Sequence, residues 1–255
     1  MASPTYRATG IVLRKTKLKE SDLIYSFLTD EGLQIQAIAK GARKPTSSFS
    51  SRLELFSHCD LLLVKGKSLD IVKEARLIEG FPELRNNYEA VLLGSPALEL
   101  LRKVTITTVS DPRLFAMAKA YFSHLETAST PQGLLLCAAF LIKALAFLGF
   151  RPSFFTCIGC GNIVDLTPAV PFSTFEGGVV CSSCFSHFET TLISGSVIGL
   201  LQKLLMSSFD EIITLEYSPA VTKEALQLSQ QLLYAHLGVF LKSLNYVYTQ
   251  FSFEK

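Results

Sequence analysis

The sequence predicts an α+β, multidomain chain: a small antiparallel β-barrel, then a helical bundle with a metal-binding ribbon inserted into it. Three observations carry this. The first 80 residues hold about five strand-like runs and no helical pattern. At Phe81-Pro82 the apolar period changes from two to that of a helix. CIGC at 157–160 is answered by CSSC at 181–184, which puts four of the six cysteines into two tight pairs.

The strands come first. TGIVLRKTKL opens the chain. LIYSFLTD and LQIQAIAKGA flank DEG, a turn signal, and so form a hairpin. LQIQAIA alternates, with Leu33, Ile35, Ala37 and Ala39 on one face and Gln34, Gln36 and Ile38 on the other. LELFSHCDLLLVKGK and LDIVKEARLIEG form a second hairpin around KGKS. Five short antiparallel strands must protect their edges, and closure into a barrel does so. The OB-fold is the commonest five-stranded solution and often binds single-stranded nucleic acid, so residues 1–80 are read as an OB-fold domain.

The helices follow over 81–255. Pro82 suits a first helical turn, and ELRNNYEAVLLGSPALELLRKV reads as helix. Asp111 followed by Pro112 is a matched N-terminal signal for the helix through PRLFAMAKAYFSHLE. GLLLCAAFLIKALAFLGF, 133–150, is long and apolar, but it is short for a membrane span and carries Lys143 near its middle, so it reads as a buried core helix. SGSVIGLLQKLLMSS and SPAVTKEALQLSQQLLYAHLGVFLKSLNYVY read as two more helices that pack against those before the cysteines.

The ribbon occupies about 153–190. Its spacing is C-x2-C-x20-C-x2-C. Each CxxC folds back as a knuckle offering two thiolates, and two knuckles complete a tetrahedron around zinc. Gly159 and Gly161 sit where a knuckle turns tightly, and PFSTFEGGVV reads as the hairpin that returns the chain. Cys157, Cys160, Cys181 and Cys184 are therefore the expected ligands. With four thiolates no position is left for catalytic water, so the zinc is structural. A redox role needs one CxxC opening a helix in a βαβ context, which is absent. His187 is a competing ligand only if a cysteine is not used.

Composition narrows the function. With 255 residues, 49% hydrophobic and 18% charged, the chain can bury a core unaided. The opening MASPTYRATGIVLRK has no apolar signal region, so a reducing cytoplasm is expected. No phosphate loop GxxxxGK[ST], HExxH, GxSxG or GxGxxG in context is present, and His58, His124, His187 and His236 are scattered along the chain. Basic residues concentrate at the start: residues 1–80 hold 13 Lys/Arg against 9 Asp/Glu, clustered in RKTKLK (14–19), KGARK (40–44) and KGK (65–67). Such clusters at strand ends and loops point to a polyanion site, with a solvated basic surface as the alternative reading. Arg14, Lys15, Lys17, Lys19, Lys40, Arg43 and Lys44 are the main candidates, with Arg52, Lys65 and Lys67 weaker. Phe49, in the Ser-rich loop TSSFSSR, is the aromatic placed to stack on a base; Tyr6, Tyr25 and Phe27 are lesser candidates, the last two at core spacing.

Taken together, AIAKGARKPTSSFSSRLELFSHCDLLLVKGKSLDIVKEA (37–75), the opening TGIVLRKTKLKESDLIYSFLTDEG and the downstream CxxC pairs resemble the RecO family of bacterial recombination mediators across essentially the whole chain. The resemblance implies a cytoplasmic, nucleoid-associated protein that breaks no bond. It implies binding of single- and double-stranded DNA, annealing of complementary strands without ATP, and work with RecR. It also implies help in loading the recombinase onto DNA coated by single-stranded-DNA-binding protein, through that protein's C-terminal tail, and no role for a membrane. Lys40, Arg43 and Lys44 fall in the matched signature, and Arg14, Lys15, Lys17 and Lys19 in the first strand and loop. The sequence departs from the family after KGARK, where a loop that is often basic keeps only Arg52. The partner's acidic tail would need an apolar pocket with a cation, for which Arg113, Lys119, Lys143 and Arg151 stand open. A protein–protein adaptor and a zinc-ribbon nucleic-acid-modifying enzyme remain the alternatives.

Overall fold

A computed structural model describes residues 4–105 and 110–251. Five strands open the chain: β1 (Thr5–Lys17), β2 (Leu23–Thr29), β3 (Gln34–Ala39), β4 (His58–Val64) and β5 (Asp70–Glu79). They pair in the order β1-β2-β3-β5-β4 and close into a barrel. β1 makes closure possible by serving two neighbours. Its first half pairs with β4, from Thr5↔Val64 to Ile11↔His58, and its second half with β2, from Gly10↔Thr29 to Lys17↔Leu23. A short parallel pairing, Ala37↔Asp70 and Ile38↔Ile71, joins β3 to β5.

The alternation read from the sequence fills the barrel. Val12, Tyr25, Phe27, Ala37, Ala39, Cys59, Leu61, Leu63, Val72 and Ala75 form one buried cluster, with Ile35 packed against it. β4 begins later than expected: Leu53–Ser57 is a turn, not strand, in which Phe56 takes a left-handed φ of 72°, the Phe56 N–H donates to the Val12 carbonyl and the Val12 N–H donates to the Ser57 carbonyl.

Three helices lie wholly or largely in the same compact unit as the barrel, which spans residues 1–91 and 98–127. α1 (Pro82–Asn86) and α2 (Tyr88–Val104) are separate, because Asn87 is extended and its side chain caps the backbone N–H groups of Glu89 and Ala90. α3 (Pro112–Leu125) starts at Asp111 as expected, its carboxylate accepting from the Arg113 N–H. α3 packs on β2. The residues of β1 and β2 that point away from the barrel interior are therefore buried too: Ile11 and Leu28 are 0% exposed, Leu13 4% and Ser26 6%. Around them the rings of Phe56 and Phe81 meet Phe122 edge-on, at 5.1 and 6.0 Å. Phe56 and Phe81 both have positive φ, a conformation costing roughly 1–3 kcal/mol that the aromatic packing offsets.

The second unit comprises residues 92–97 and 128–255. Its core is α4 (Thr130–Phe147), α5 (Gly195–Met206) and α7 (Pro219–Leu237), which pack on one another. α4 passes the length and apolarity test for a membrane span, yet two thirds of it is buried against other helices. Its one charge, Lys143, donates to the carbonyls of Leu205 (3.0 Å) and Ser207 (2.6 Å), capping the end of α5. α6 (Phe209–Ile212) is a single turn. The stretch 218–248, read above as one helix, is two. α7 ends at Gly238, which takes a left-handed φ of 64°, and α8 (Ser243–Gln250) follows. Buried Gln230 ties the bend, donating to the Val239 carbonyl and accepting from the Leu241 N–H. Between α4 and α5 lies a three-stranded sheet, β7-β6-β8, of β6 (Ala169–Ser173), β7 (Gly178–Val179) and β8 (Thr191–Ser194).

Removing the ring at the centre of the aromatic cluster, Phe122→Ala, is expected to cost about 3–5 kcal/mol, read as a lower urea midpoint. A pH effect follows from His58. Burial, then the nearby Lys119 charge, depress its pKa against the weaker opposing pull of Glu79 and Asp30, and both ring nitrogens are buried without a hydrogen bond among the described residues. The unfolded chain takes up this proton more readily, so the contribution is present above about pH 6.5 and is lost as pH falls below it. Urea midpoints should drop from about pH 7.5 to about 5.5, and less so in His58→Leu.

Candidate nucleic-acid interface and metal centre

Two of the basic runs become neighbours because of one carboxylate. The β1–β2 loop ends at Asp22, whose Oδ1 accepts the Gly41 N–H at 2.8 Å. That bond, followed by one from Ser21, holds the Asp22 carboxyl below the usual carboxylate range. Arg43 completes the tie: its N–H donates to the Ser21 carbonyl (3.0 Å) and its guanidinium to the Glu20 carbonyl (2.7 Å). The register agrees, since Lys17 pairs with Leu23 and Leu23 with Ala39, the residue before Lys40. RKTKLK and KGARK thus share one end of the barrel.

The candidates differ in what they are free to do. Arg14, Lys17, Lys19, Lys40, Lys44 and Lys67 are exposed and make no ion pair among the described residues. Lys15 is held by Glu54 at 2.5 Å. Lys65 is paired with Asp70 at 3.4 Å and lies over the Tyr6 ring. Tyr6 itself donates a short hydrogen bond to Asp70. Arg52 donates to the Ala75 carbonyl at 3.0 Å. Lys65 and Lys67 sit on the β4–β5 loop, beside a groove over Gln34 and Gln36 of β3. Tyr25 and Phe27, 1% and 0% exposed, fill the barrel and cannot meet a base, as their spacing suggested. Phe49 is half-buried, one side on the barrel core and the other lining a groove.

That groove, about 800 Å³, runs along β4 and β5 and brings in cations the sequence reading passed over. Arg7, Lys73 and Arg76 join Arg52 there. Arg7 is paired with Asp60 at 3.0 Å, while Lys73 and Arg76 are exposed and make no ion pair among the described residues. They stand singly rather than in runs. The legible signal was in β5, where Val72 and Ala75 face inward and leave Lys73 and Arg76 outside.

The cysteines converge. The four Sγ atoms of Cys157, Cys160, Cys181 and Cys184 lie within 4.8 Å of one another. Cys160 and Cys181 are 3.7 Å apart, close to the edge of about 3.8 Å for a tetrahedron with zinc–sulfur arms near 2.3 Å. The knuckles form as the glycines predict. Gly161 takes a φ of +76° while its N–H bonds the Cys157 carbonyl. A Cβ on Gly159 would come within 3.1 Å of the Cys184 sulfur. The predicted hairpin is β6–β7, paired Phe172↔Val179 and Ser173↔Gly178, and its turn, 174–177, takes in Glu176 and Gly177 of the EGG segment. Burial raises the Cys157 thiol, but the N–H groups of Cys181, Cys160 and Gly159 outweigh it and bring the pKa to about 6. Cys184 is pushed up to about 12, first by its bond to Cys181. The donor set thus suits a thiolate-preferring ion such as zinc, and His187 lies outside the cluster.

Of the four cations considered for an acidic tail, three are engaged. Lys143 caps α5, Lys119 faces Glu79 at 3.5 Å and Arg113 is bound to Asp111. Arg151 is exposed beside a pocket of about 280 Å³ lined by Phe154, Phe155, Leu205 and Met206. Its guanidinium touches the Met206 sulfur at 2.9 Å.

Family comparison agrees in both halves. The family described as Recombination protein O N terminal matches residues 1–81, and Recombination protein O C terminal matches residues 85–245. The chain is 32% identical over 229 residues to a DNA repair protein RecO of Desulfitobacterium hafniense, covering 88% of this chain and 82% of that one. It is 33% identical over 247 residues to the DNA repair protein RecO of Frankia casuarinae, covering 96% and 98%. A Nocardioides protein of the same name is 32% identical over 248 residues.

Serine at Cys181 leaves three thiolates. Atomic absorption should find about one zinc per wild-type chain and clearly less in Cys181→Ser. The variant should also melt at lower temperature, and chelation should lower the wild-type melt towards it.

Proposed function

The chain belongs to the RecO family, and on that premise we propose that it is a DNA-binding mediator of recombinational repair. It anneals complementary single strands without ATP and helps load the recombinase onto DNA coated by single-stranded-DNA-binding protein. The observation that carries this reading is the joining of two basic runs at one barrel end by Asp22 and Arg43. Annealing requires two like-charged strands to approach. Lysines and arginines on a fixed edge neutralise phosphates and release counterions, and no bond needs breaking. Arg14, Lys17, Lys19, Lys40 and Lys44 present free charge, Arg43 fixes the loop, and Lys65 and Lys67 extend the surface on the β4–β5 loop. The barrel order supports an OB-fold assignment for residues 1–80, where the loops after β1 and β4 commonly flank the ligand.

The partners follow the same reading. DNA, single- or double-stranded, is met by the barrel. The pocket beside Arg151 fits an acidic tail ending in an apolar residue, because its walls are aromatic and sulfur-bearing and its rim is cationic. RecR is expected as a further partner. Zinc at the four cysteines holds the ribbon and contributes to folding rather than chemistry. Cytoplasmic residence fits reduced thiols in a ligand set.

The test is annealing of two labelled complementary oligonucleotides across a salt series, without ATP. The wild type should accelerate pairing, and salt should weaken the effect. Lys40→Glu with Arg43→Glu and Lys44→Glu should slow it at least about ten-fold and flatten the log–log salt slope of single-strand binding by about 2, with circular dichroism unchanged. Equal annealing by the folded variant would remove this edge from the mechanism.

A further inference from the structure

A five-stranded barrel of this order commonly takes its strand of nucleic acid over β2 and β3. Here that wall is half closed. α3 packs on β2, and the outward residues Ser26 and Leu28 are 6% and 0% exposed. The wall opposite is open. On it the groove along β4 and β5 collects Arg7, Arg52, Lys73 and Arg76 against two carboxylates, Asp60 and Glu74, with Phe49 at its side. Asp60 is already matched by Arg7 at 3.0 Å. Lys73 and Arg76 remain with no ion pair among the described residues.

We propose that this groove on the β1–β4–β5 wall is a track for one single strand of nucleic acid, separate from the basic edge formed by the loops after β1 and β3. The inference rests on the DNA-binding reading above and says where on the barrel a strand lies. The chemistry selects a single strand. Lys73 and Arg76 reach phosphates as mobile charges. Arg52 is steadied by the Ala75 carbonyl at 3.0 Å, with the rest of its guanidinium facing the groove. Phe49 keeps one side on the barrel core, which fixes its ring, and lines the groove with the other. A base can stack there only if it is unpaired, and stacking on an aromatic ring is indifferent to sequence. Two cationic surfaces on one barrel would also let one molecule hold two strands.

The experiment is fluorescence-anisotropy titration of a labelled oligothymidine and, in parallel, a blunt duplex across a salt series. It compares full-length wild type with Lys73→Gln/Arg76→Gln and with Phe49→Leu, which keeps an apolar side chain on the core. Thermal melts confirm the fold of each. For oligothymidine the double variant should lose about 1.4 from the salt slope, and Phe49→Leu should weaken binding about five-fold or more. Duplex affinity should change less in both. Unchanged oligothymidine binding by folded variants overturns the track while leaving the DNA-binding reading intact, provided Lys40→Glu/Arg43→Glu/Lys44→Glu still weakens it. Equal losses on duplex overturn the single-strand assignment. Failure of the wild type to bind either probe at low salt overturns both readings.

Discussion

The double pairing of β1 is the constraint on which the first unit depends. A 13-residue strand is long enough to give one half of its edge groups to β4 and the other to β2, so no edge is left open. Closure fixes the ends of the other four strands. It brings the loop after β1 beside the loop after β3, where one carboxylate, Asp22, and one guanidinium, Arg43, finish the junction. Repulsion among the cations is eased there by the Asp22 carboxylate, which feels the charges of Lys19 and Lys40, and by solvent screening of the exposed side chains. The lysines are left pointing to solvent.

Closure also fixes which side of the wall is spent on packing. α3 covers β2, and the aromatic group of Phe56, Phe81 and Phe122 lies in that same unit. Burial on both faces of β2 stabilises the barrel, and it removes a surface on which a barrel of this kind would otherwise meet its ligand. What stays exposed includes Gln36 of β3, Lys73 and Arg76 of β5, and Arg7. The proposed strand track is the consequence of that division.

In the second unit four thiols converge at the ribbon. The ribbon has one short three-stranded sheet and a small core that includes Phe154, Val170, Phe172, Val179 and Val180, and an ion held by the four cysteines would add to what a core of that size supplies. The helices around it need no such help. α4 is apolar along its length, and its one lysine is used up on the carbonyls at the end of α5. A charge that argues against a membrane is here a helix cap.

Much of this was legible in the chain alone. Period-two alternation in β3, the Asp111-Pro112 helix start and the spacing of the cysteines are local signals, and each is fixed by backbone geometry within a few residues. The sequence was less informative where a local pattern met a competing neighbour. The helix expected over 218–248 breaks at Gly238, because the left-handed turn is tied by Gln230 from within the preceding helix. Runs of lysine announced one basic edge, yet Arg7, Arg52, Lys73 and Arg76, distant along the chain, share a groove only because β1, β4 and β5 are neighbours in a closed sheet. By itself, then, the sequence determined most of the element types, the pairing of the four cysteines into two knuckles and the sign of the charge on the first 80 residues, since these follow from residue identity and short-range spacing. Which cations share a surface, and which wall of the barrel remains open, was decided only in the tertiary structure, because strand register and helix packing are long-range and leave no mark on any single segment.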